Sequence, residues 1–243
     1  MSESVVVIPT YNERDNITHI IKAVLNLPDG FDVLIVDDSS PDGTADLVKV
    51  IRQQFPERVH LEVRREKAGL GTAYLHGFRW ALERDYQYIF EMDADFSHDP
   101  ADLPRLLAPV KRGEADLTIG SRYIKGVNVV NWPMSRVILS YFASKYVRFV
   151  LRLPIMDTTA GFKCYDRRVL ERIAFKKIRF VGYAFQIEMK FTAWKLGFRI
   201  KEVPVIFTDR TVGESKMTGG IIKEAVFGVL LLRWKSFFRS YSK

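Results

Sequence analysis

Asp93 and Asp95 are separated by one small residue and follow the apolar run Tyr86-Gln87-Tyr88-Ile89-Phe90, which reads as a buried strand. Alternate side chains of a strand point the same way, so two carboxylates at its C-terminal end can converge on one ligand. Adjacent carboxylates repel one another unless a cation or hydrogen-bond donors absorb their charge. An oxygen-liking divalent ion bridging a carboxylate to a diphosphate would meet that demand. A solvated Asp-rich turn that caps the next helix accounts for the same octapeptide, Asp93 to Pro100, because Asp and Pro favour such places. Spacing alone leaves both readings open.

Other polar clusters carry comparable alternatives. Pro9-Thr10-Tyr11-Asn12-Glu13 offers Tyr11 for stacking on a flat ring and Glu13 for accepting from a base or sugar; it also suits a helix entry capped by Asn12. Asp37 and Asp38 stand at a strand end before any cap is needed, which favours a ligand over capping by Ser39, Asp42 or Thr44. A carboxylate there resembles the acidic residue that binds ribose or a base edge in dinucleotide folds. Lys67 to Ala73 lacks the third glycine of a dinucleotide fingerprint, Tyr74 standing in its place, and does not follow the first strand. That argues against a nicotinamide or flavin site, yet leaves room for a glycine-permitted backbone approach to a nucleotide. Arg122 sits at a further strand end, and Arg136 and Ser140, four apart, share a helix face. Together they could grip a phosphate, or the arginines could lie over apolar surface. Asp157 to Phe162 reads as a tight polar turn with Gly161 for backbone freedom, and Asp209 to Lys216 as a polar segment carrying Arg210 and Lys216.

The elements that must position these residues alternate. Strands are expected at Val5–Pro9, Phe31–Val36, Val59–Val63, Tyr88–Met92 and Leu117–Gly120, and helices at Asn16–Leu27, Thr44–Gln54, Gly71–Glu83 and Leu103–Lys111. Strands alternating with amphipathic helices predict an α/β, doubly wound and mostly parallel sheet, whose ligands bind beyond the strands' carboxyl ends. The polar clusters fall there. The second half differs, with apolar-basic helical stretches at Trp132–Leu153 and Gly220–Tyr241, an amphipathic helix at Ala184–Leu196 and a strand at Ile200–Thr208.

At 243 residues the chain can bury a substantial core, and its 47% hydrophobic and 27% charged residues are ordinary for a globular protein. Cys164, the one cysteine, excludes an intramolecular disulfide framework and a cysteine-based metal cluster. The apolar Val5 to Ile8 is too short for a signal peptide and lacks a basic lead-in. The longest apolar run, Ala225 to Leu232, has eight residues, whereas a spanning helix needs roughly 20. The net charge of +8 calls for a partner, and its basic residues crowd the second half among long apolar ones. That pattern favours an anionic membrane surface over nucleic acid, for which no motif is present.

Taken together, VVVIPTYNE, VDDSSPDGT, KAGLGTAY, DADFSHDP, GSRY, DTTAGF and DRTVGESK resemble the polyprenyl-phosphate (dolichol-phosphate) mannosyltransferases of glycosyltransferase family 2, from Val5 to about Lys216. PTYNE and the DxD element mark the broad superfamily; DADFSHDP, DTTAGF and the DR-x5-K combination are more specific. The resemblance implies the GT-A fold, a mostly parallel central sheet flanked by helices, with C-terminal amphipathic helices. It implies a catalytic domain over residues 1–216 and a membrane-proximal helix over 217–243. Pro9, Tyr11 and Glu13, with Val36 and Asp38 beside them, would contact the guanine nucleotide. Asp93, Ala94 and Asp95 would hold GDP-mannose, with Asp95 the main ligand of magnesium or manganese and Ser97 a weaker second one. Arg122, Arg136 and Ser140 would bind the acceptor phosphate, and Arg210 and Lys216 would close over the diphosphate.

The implied reaction is inverting transfer of mannose from GDP-mannose to a polyprenyl or dolichyl monophosphate. Such a phosphate is already largely dianionic near neutrality, so none of His19, His60, His76 or His98 is required as a base. The implied partners are the two substrates, a membrane surface on whose cytosolic side the protein would sit peripherally, and anchoring subunits. Rivals are a UDP-sugar transferase on the same scaffold and a non-catalytic nucleotide-sugar or lipid-phosphate binding subunit. Intact Asp95, Arg122 and Lys216 argue against the last.

Overall fold

A computed structural model describes residues 2–209 and 219–238. Strands and helices alternate through the first half as β1 (Ser4–Thr10), α1 (Arg14–Leu25), β2 (Phe31–Asp37), α2 (Thr44–Gln54), β3 (Val59–Val63), α3 (Leu70–Leu82) and β4 (Tyr88–Glu91). Then follow α4 (Leu103–Lys111), β5 (Leu117–Ser121), β6 (Val129–Val130), α5 (Met134–Leu151), β7 (Lys163–Asp166) and α6 (Arg167–Arg172). The described chain closes with α7 (Tyr183–Lys195), β8 (Ile200–Pro204), β9 (Phe207–Thr208) and α8 (Gly219–Lys235).

Seven strands make one sheet in the order β3-β2-β1-β4-β7-β5-β8. Only the pairings of β7 with β4 and β5 are antiparallel. β2 is buried throughout and β1 at every residue but Pro9, because helices cover both faces of the sheet. Their alternation divides the core: Val6, Ile8, Val33 and Ile35 meet α1, α2 and α4, while Val5, Val7, Leu34 and Val36 meet the face built from α3, α5, α6, α7 and α8. Val229 and Leu232 of α8 join this second cluster.

Three expectations need correction. The strand expected over Ile200–Thr208 is two strands: β8 pairs with β5, whereas β9 leaves the main sheet and pairs with β6. β7 was not foreseen, since Lys163-Cys164-Tyr165-Asp166 is short and carries charge at both ends. Yet it lies between β4 and β5 with Lys163 wholly buried. α7 was expected to be amphipathic, but Gln186, Glu188, Lys190 and Thr192 are as buried as the apolar residues between them. Its polar positions face other protein groups instead of water, which a periodicity argument cannot distinguish.

Candidate active site

The first strand ends bring carboxylates together and then separate their uses. β1 and β2 pair Thr10 with Asp37, and Thr10 Oγ1 donates to Asp37 Oδ1 at 2.8 Å. Ser40 adds its amide (2.8 Å) and its hydroxyl (2.6 Å), so Asp37 stitches two loops together. Asp38 faces the cavity. Its two oxygens accept from Nε and Nη2 of Arg64 at 2.6 and 2.7 Å, and Arg64 Nη1 donates to Thr72 Oγ1 at 2.8 Å. Nearby, Lys67 Nζ lies 4.0 Å from the centre of the Tyr11 ring. Glu13 takes the N-cap position of α1 that the sequence suggested for Asn12, and its Oε2 accepts from Asn16 Nδ2 at 3.0 Å. The expected glycine-permitted approach to a ligand is a protein contact: Gly71 N–H donates to Val181 O at 2.8 Å, and a Cβ on Gly71 would stand 2.7 Å from the Phe185 ring.

β4 stops at Glu91, so Asp93 and Asp95 lie in the turn beyond it, and strand alternation is not what brings them together. The turn is held by its own side chains. Asp93 N–H donates to His98 Nδ1 at 3.1 Å, Ser97 N–H to Asp95 Oδ1 at 3.0 Å, and Tyr74 O–H to Asp93 Oδ1 at 3.1 Å. Phe96 adopts φ 58°, an uncommon conformation for a residue with a side chain, to complete it. His98 is buried against Phe162, ring centres 4.8 Å apart. Burial lowers its pKa despite the pull of Asp93 and Asp95. A neutral ring accepting at Nδ1 carries its proton on Nε2. Enclosure raises the pKa of Asp93, with Asp95 adding to the rise and His98 opposing it. The capping alternative holds for one residue of the octapeptide: Asp99 Oδ1 accepts from Ala101 N–H at 2.9 Å.

The opposite wall is built around Arg122, at the end of β5. Its Nε and Nη2 donate to Asp157 at 2.7 and 2.6 Å, its amide reaches the same carboxylate at 2.9 Å, and Nη2 also meets Thr159 Oγ1 at 2.8 Å. Asp157 is wholly buried; burial would push its pKa up, but Arg122 more than offsets this and the net shift is downward. Glu202 on β8 accepts the amides of Met156 and Asp157 at 2.7 and 2.8 Å. From the other side, Lys190 Nζ donates to Ala160 O at 2.6 Å. Burial, helped by Lys163, drives the Lys190 pKa well below its ordinary value. Lys163 itself donates to Glu91 Oε2 at 2.7 Å and to Gln186, and Tyr165 O–H donates to Glu91 Oε1 at 2.7 Å. Gly161 has no left-handed backbone; a Cβ there would face His98 and Gln186 at ordinary contact distance.

One cavity of about 560 Å3 joins the two walls. Pro9, Tyr11, Glu13 and Asp38 line it together with Asp93, Ala94, Asp95 and Ser97, and with Arg122, Arg136 and Ser140. Arg136 donates to Asp209 Oδ1 at 2.8 Å, and its guanidinium lies 4.1 Å from the Trp132 ring centre. On the same helix as Arg136 and Ser140, Leu139, Phe142, Tyr146 and Val147 add an apolar lining, joined by Ile187 of α7. Val36 is not brought to the cavity: its side chain is buried beside Gly77 of α3. Arg210 and Lys216 lie outside the described residues. Sequence reasoning missed Arg64, Lys163, Lys190 and Glu202, whose only signal is that each is a charged residue in a mostly structured stretch.

Residues 5–174 match the family described as glycosyl transferase family 2, more than half of the chain. The chain belongs to glycosyltransferase family 2. Among curated members it is similar to the polyprenol monophosphomannose synthase of Mycolicibacterium smegmatis, 49% identical over 93% of this chain and 85% of that protein. It is also similar to the undecaprenyl-phosphate mannosyltransferase of Micrococcus luteus, 46% identical over 94% of this chain and 95% of that protein. This glycosyltransferase also shares its fold with more distant enzymes of known structure. Glucosyl-3-phosphoglycerate synthase from Mycobacterium tuberculosis, crystallised with Mn2+, UDP and phosphoglyceric acid, gives a TM-score of 0.67 at 19% identity, covering 94% of this chain and 77% of that one. The mannosyltransferase PcManGT from Pyrobaculum calidifontis, with GDP-Man and Mn2+, gives 0.62 at 16% identity, covering 99% and 66%. The expected GT-A fold is therefore the one observed.

Proposed function

We propose that this glycosyltransferase moves mannose from GDP-mannose to a polyprenyl or dolichyl monophosphate, inverting the anomeric centre. The observation that carries the reading is what one cavity gathers: carboxylates, two guanidinium groups, and apolar side chains on the helix that carries Arg136. A lipid phosphate needs the last two together. The names of the two similar curated proteins, a polyprenol monophosphomannose synthase and an undecaprenyl-phosphate mannosyltransferase, support the same reaction.

Asp38 supports a guanine donor. Its two oxygens are arranged to accept a pair of parallel N–H donors, as Arg64 shows. Guanine offers two adjacent donors on its Watson–Crick edge, whereas uracil offers one between two carbonyls. Tyr11 would stack on the base and Glu13 would accept from the nucleoside. Arg122 and Arg136 would align the acceptor phosphate, with Ser140, behind the sugar carbon, a positioning contribution. The acceptor oxygen forms the new bond as the sugar–diphosphate bond breaks and GDP leaves. Arg210 and Lys216 would close over that diphosphate.

Asp95, with Ser97 as a second candidate, would hold Mg2+ or Mn2+. Among the described residues no three His, Cys, Asp or Glu side chains cluster as a self-sufficient metal site. One or two carboxylates completed by substrate phosphates fit such an ion. Burial, with Asp95 adding to it, disfavours the charged form of Asp93, a penalty that a cation would relieve. When bound, the ion neutralises charge developing on the departing diphosphate.

With a lipid acceptor the protein would sit peripherally on the cytosolic face of a membrane, with residues 1–216 as catalytic domain and 217–243 as the membrane-proximal helix. Membrane-anchoring subunits are compatible partners. Among the described residues no helix is long and apolar enough to cross a membrane. A donor screen with a short polyprenyl phosphate and manganese tests the reading: GDP-mannose should support transfer and UDP-glucose should not. Asp95→Ala should lower turnover about a hundredfold or more while the fold persists. Transfer from UDP-glucose alone would overturn the donor, and full turnover by the variant would overturn the metal site.

A further inference from the structure

The last turns of α5 carry a cationic cluster that the reaction does not use. Lys145, Arg148 and Arg152 surround Phe149 and, with Leu153 and Pro154, line a surface hollow of about 450 Å3. None of the three cations lines the catalytic cavity. Among the described residues none of them is within ion-pair distance of a carboxylate, and the buried Nε of Arg148 has no hydrogen-bond partner. Cations at a helix C-terminus offset the helix dipole, but that effect fades beyond the last turn, and Lys145 lies well before it. Nor does the dipole explain Phe149, which is 85% exposed at the centre of the cluster.

The apolar surface continues along the same helix. Ile138, Phe142 and Phe149 recur at four and seven residues on its outer face, and all three are exposed. Phe142 is shared: it is 60% exposed and also lines the catalytic cavity. α8 packs beside α5 and exposes Phe227 and Trp234, and the turn after it exposes Phe237 and Phe238, near Arg233 and Lys235 in sequence. Lys145 Nζ lies 4.6 Å from the Tyr141 ring centre and Arg233 4.9 Å from that of Phe237, so cations and rings are interleaved. That pattern matches an anionic bilayer surface, where rings enter the headgroup layer and cations stay at its edge.

We propose that Lys145, Arg148 and Arg152 form a headgroup site for anionic phospholipid, distinct from the catalytic cavity, which orients the protein with Phe142 and the cavity mouth toward the bilayer. The proposal deepens the lipid-acceptor reading by naming the surface and the lipid charge that would deliver the acceptor. Each cation near an anionic surface strengthens partitioning by roughly fivefold, so removing three should weaken it roughly a hundredfold.

The test is vesicle co-sedimentation of the full chain without substrates, using phosphatidylcholine vesicles with and without phosphatidylglycerol. The variant combines Lys145→Gln, Arg148→Gln and Arg152→Asn; asparagine suits the left-handed φ of 55° at that position. Wild type should sediment with phosphatidylglycerol vesicles only, and the triple variant should lose that binding while keeping the wild-type melting temperature. The single variant Lys145→Gln should lose roughly fivefold. Unchanged partitioning of the triple variant overturns the proposal. So does equal wild-type binding to both vesicles, release by inorganic phosphate but not by chloride of equal ionic strength (a free-anion site), or a wild-type dimer in light scattering that the variant loses (a second copy as occupant). Mannose transfer to a short water-dispersed acceptor should be the same in both proteins. Its absence in both would count against the proposed reaction and leave the vesicle result to judge the headgroup site.

Discussion

Two guanidinium–carboxylate forks flank the cavity with nearly equal distances and opposite surroundings. Arg64 meets both oxygens of Asp38 at 2.6 and 2.7 Å, and its third contact is a threonine hydroxyl. Arg122 meets both oxygens of Asp157 at 2.7 and 2.6 Å, but the turn carrying Asp157 is fixed by Glu202 below and Lys190 behind. The Arg64 side chain, from the segment after an edge strand, is held by Asp38 and Thr72; Arg122 is tied to a turn that Glu202 and Lys190 hold in their own right. On the proposed reading, the same contact would be a placeholder on the nucleotide side and a scaffold on the acceptor side. Preorganised charge is what a phosphate nucleophile needs, because alignment is most of what the protein can add.

The sharpest way to break this distinction is to remove a charge from under the acceptor side. Glu91 and Lys163 are both wholly buried, 2.7 Å apart. Glu91→Ala leaves a buried ammonium without its carboxylate, and the expected loss is about 3–5 kcal/mol in urea unfolding at unchanged m-value. Arg64→Ala should cost less, about 1–2 kcal/mol, since the cavity that Asp38 lines can admit water to its carboxylate. Equal losses would erase the contrast.

Next in size is Arg122→Lys. A lysine keeps the charge and loses the fork, so it cannot satisfy both Asp157 oxygens and Thr159 together. Mannose transfer should fall about a hundredfold in kcat, with the KM for GDP-mannose little changed. A rise in donor KM at constant kcat would move Arg122 to the nucleotide side.

Tyr165→Phe tests the same buried network through pH. Its hydroxyl donates to Glu91, and burial, with Glu91 adding, holds the phenol pKa well above its ordinary value. The folded state then keeps a proton that the unfolded chain releases above about pH 10. More protons on the folded side mean that stability is full below that pH and falls as pH rises beyond it. Phenylalanine should cost roughly 2 kcal/mol at neutral pH and flatten the alkaline fall in a chemical-unfolding series. An unchanged alkaline slope would show that Tyr165 does not contribute to it.

The contrast also explains what the sequence made legible. Tyr11, Asp38, Asp93 and Asp95 follow strands that apolar runs announce, and the rule that ligands collect at strand ends locates them without coordinates. Arg136 and Ser140 were found by helical spacing. Asp157 was visible as a polar turn, but not as the partner of Arg122, because β7 reverses direction between β4 and β5 and brings that turn back. Lys190 and Gln186 sit on a helix whose alternating polar residues read as a solvent face. Only packing reveals that α7 is enclosed. Val36 differs from Asp38, two residues on: Asp38 turns to the cavity while the Val36 side chain turns into the core, a distinction strand position alone does not make.

The smallest effect bears most directly on the placeholder. If guanine replaces Arg64 on Asp38, two base donors take over a fork that two guanidinium donors occupied. Asp38→Asn keeps one acceptor oxygen and turns the other position into a donor that opposes the base. The expected result is about a tenfold rise in the KM for GDP-mannose, about the value of one hydrogen bond to a charged group, with kcat and melting temperature nearly unchanged. Inosine-diphosphate mannose, which lacks the exocyclic amine, gives the companion measurement. Wild type should discriminate against it and the variant should not. If Asp38 were instead a scaffold like Asp157, the variant would lose stability and both donors would suffer equally, and the two forks would no longer differ in kind.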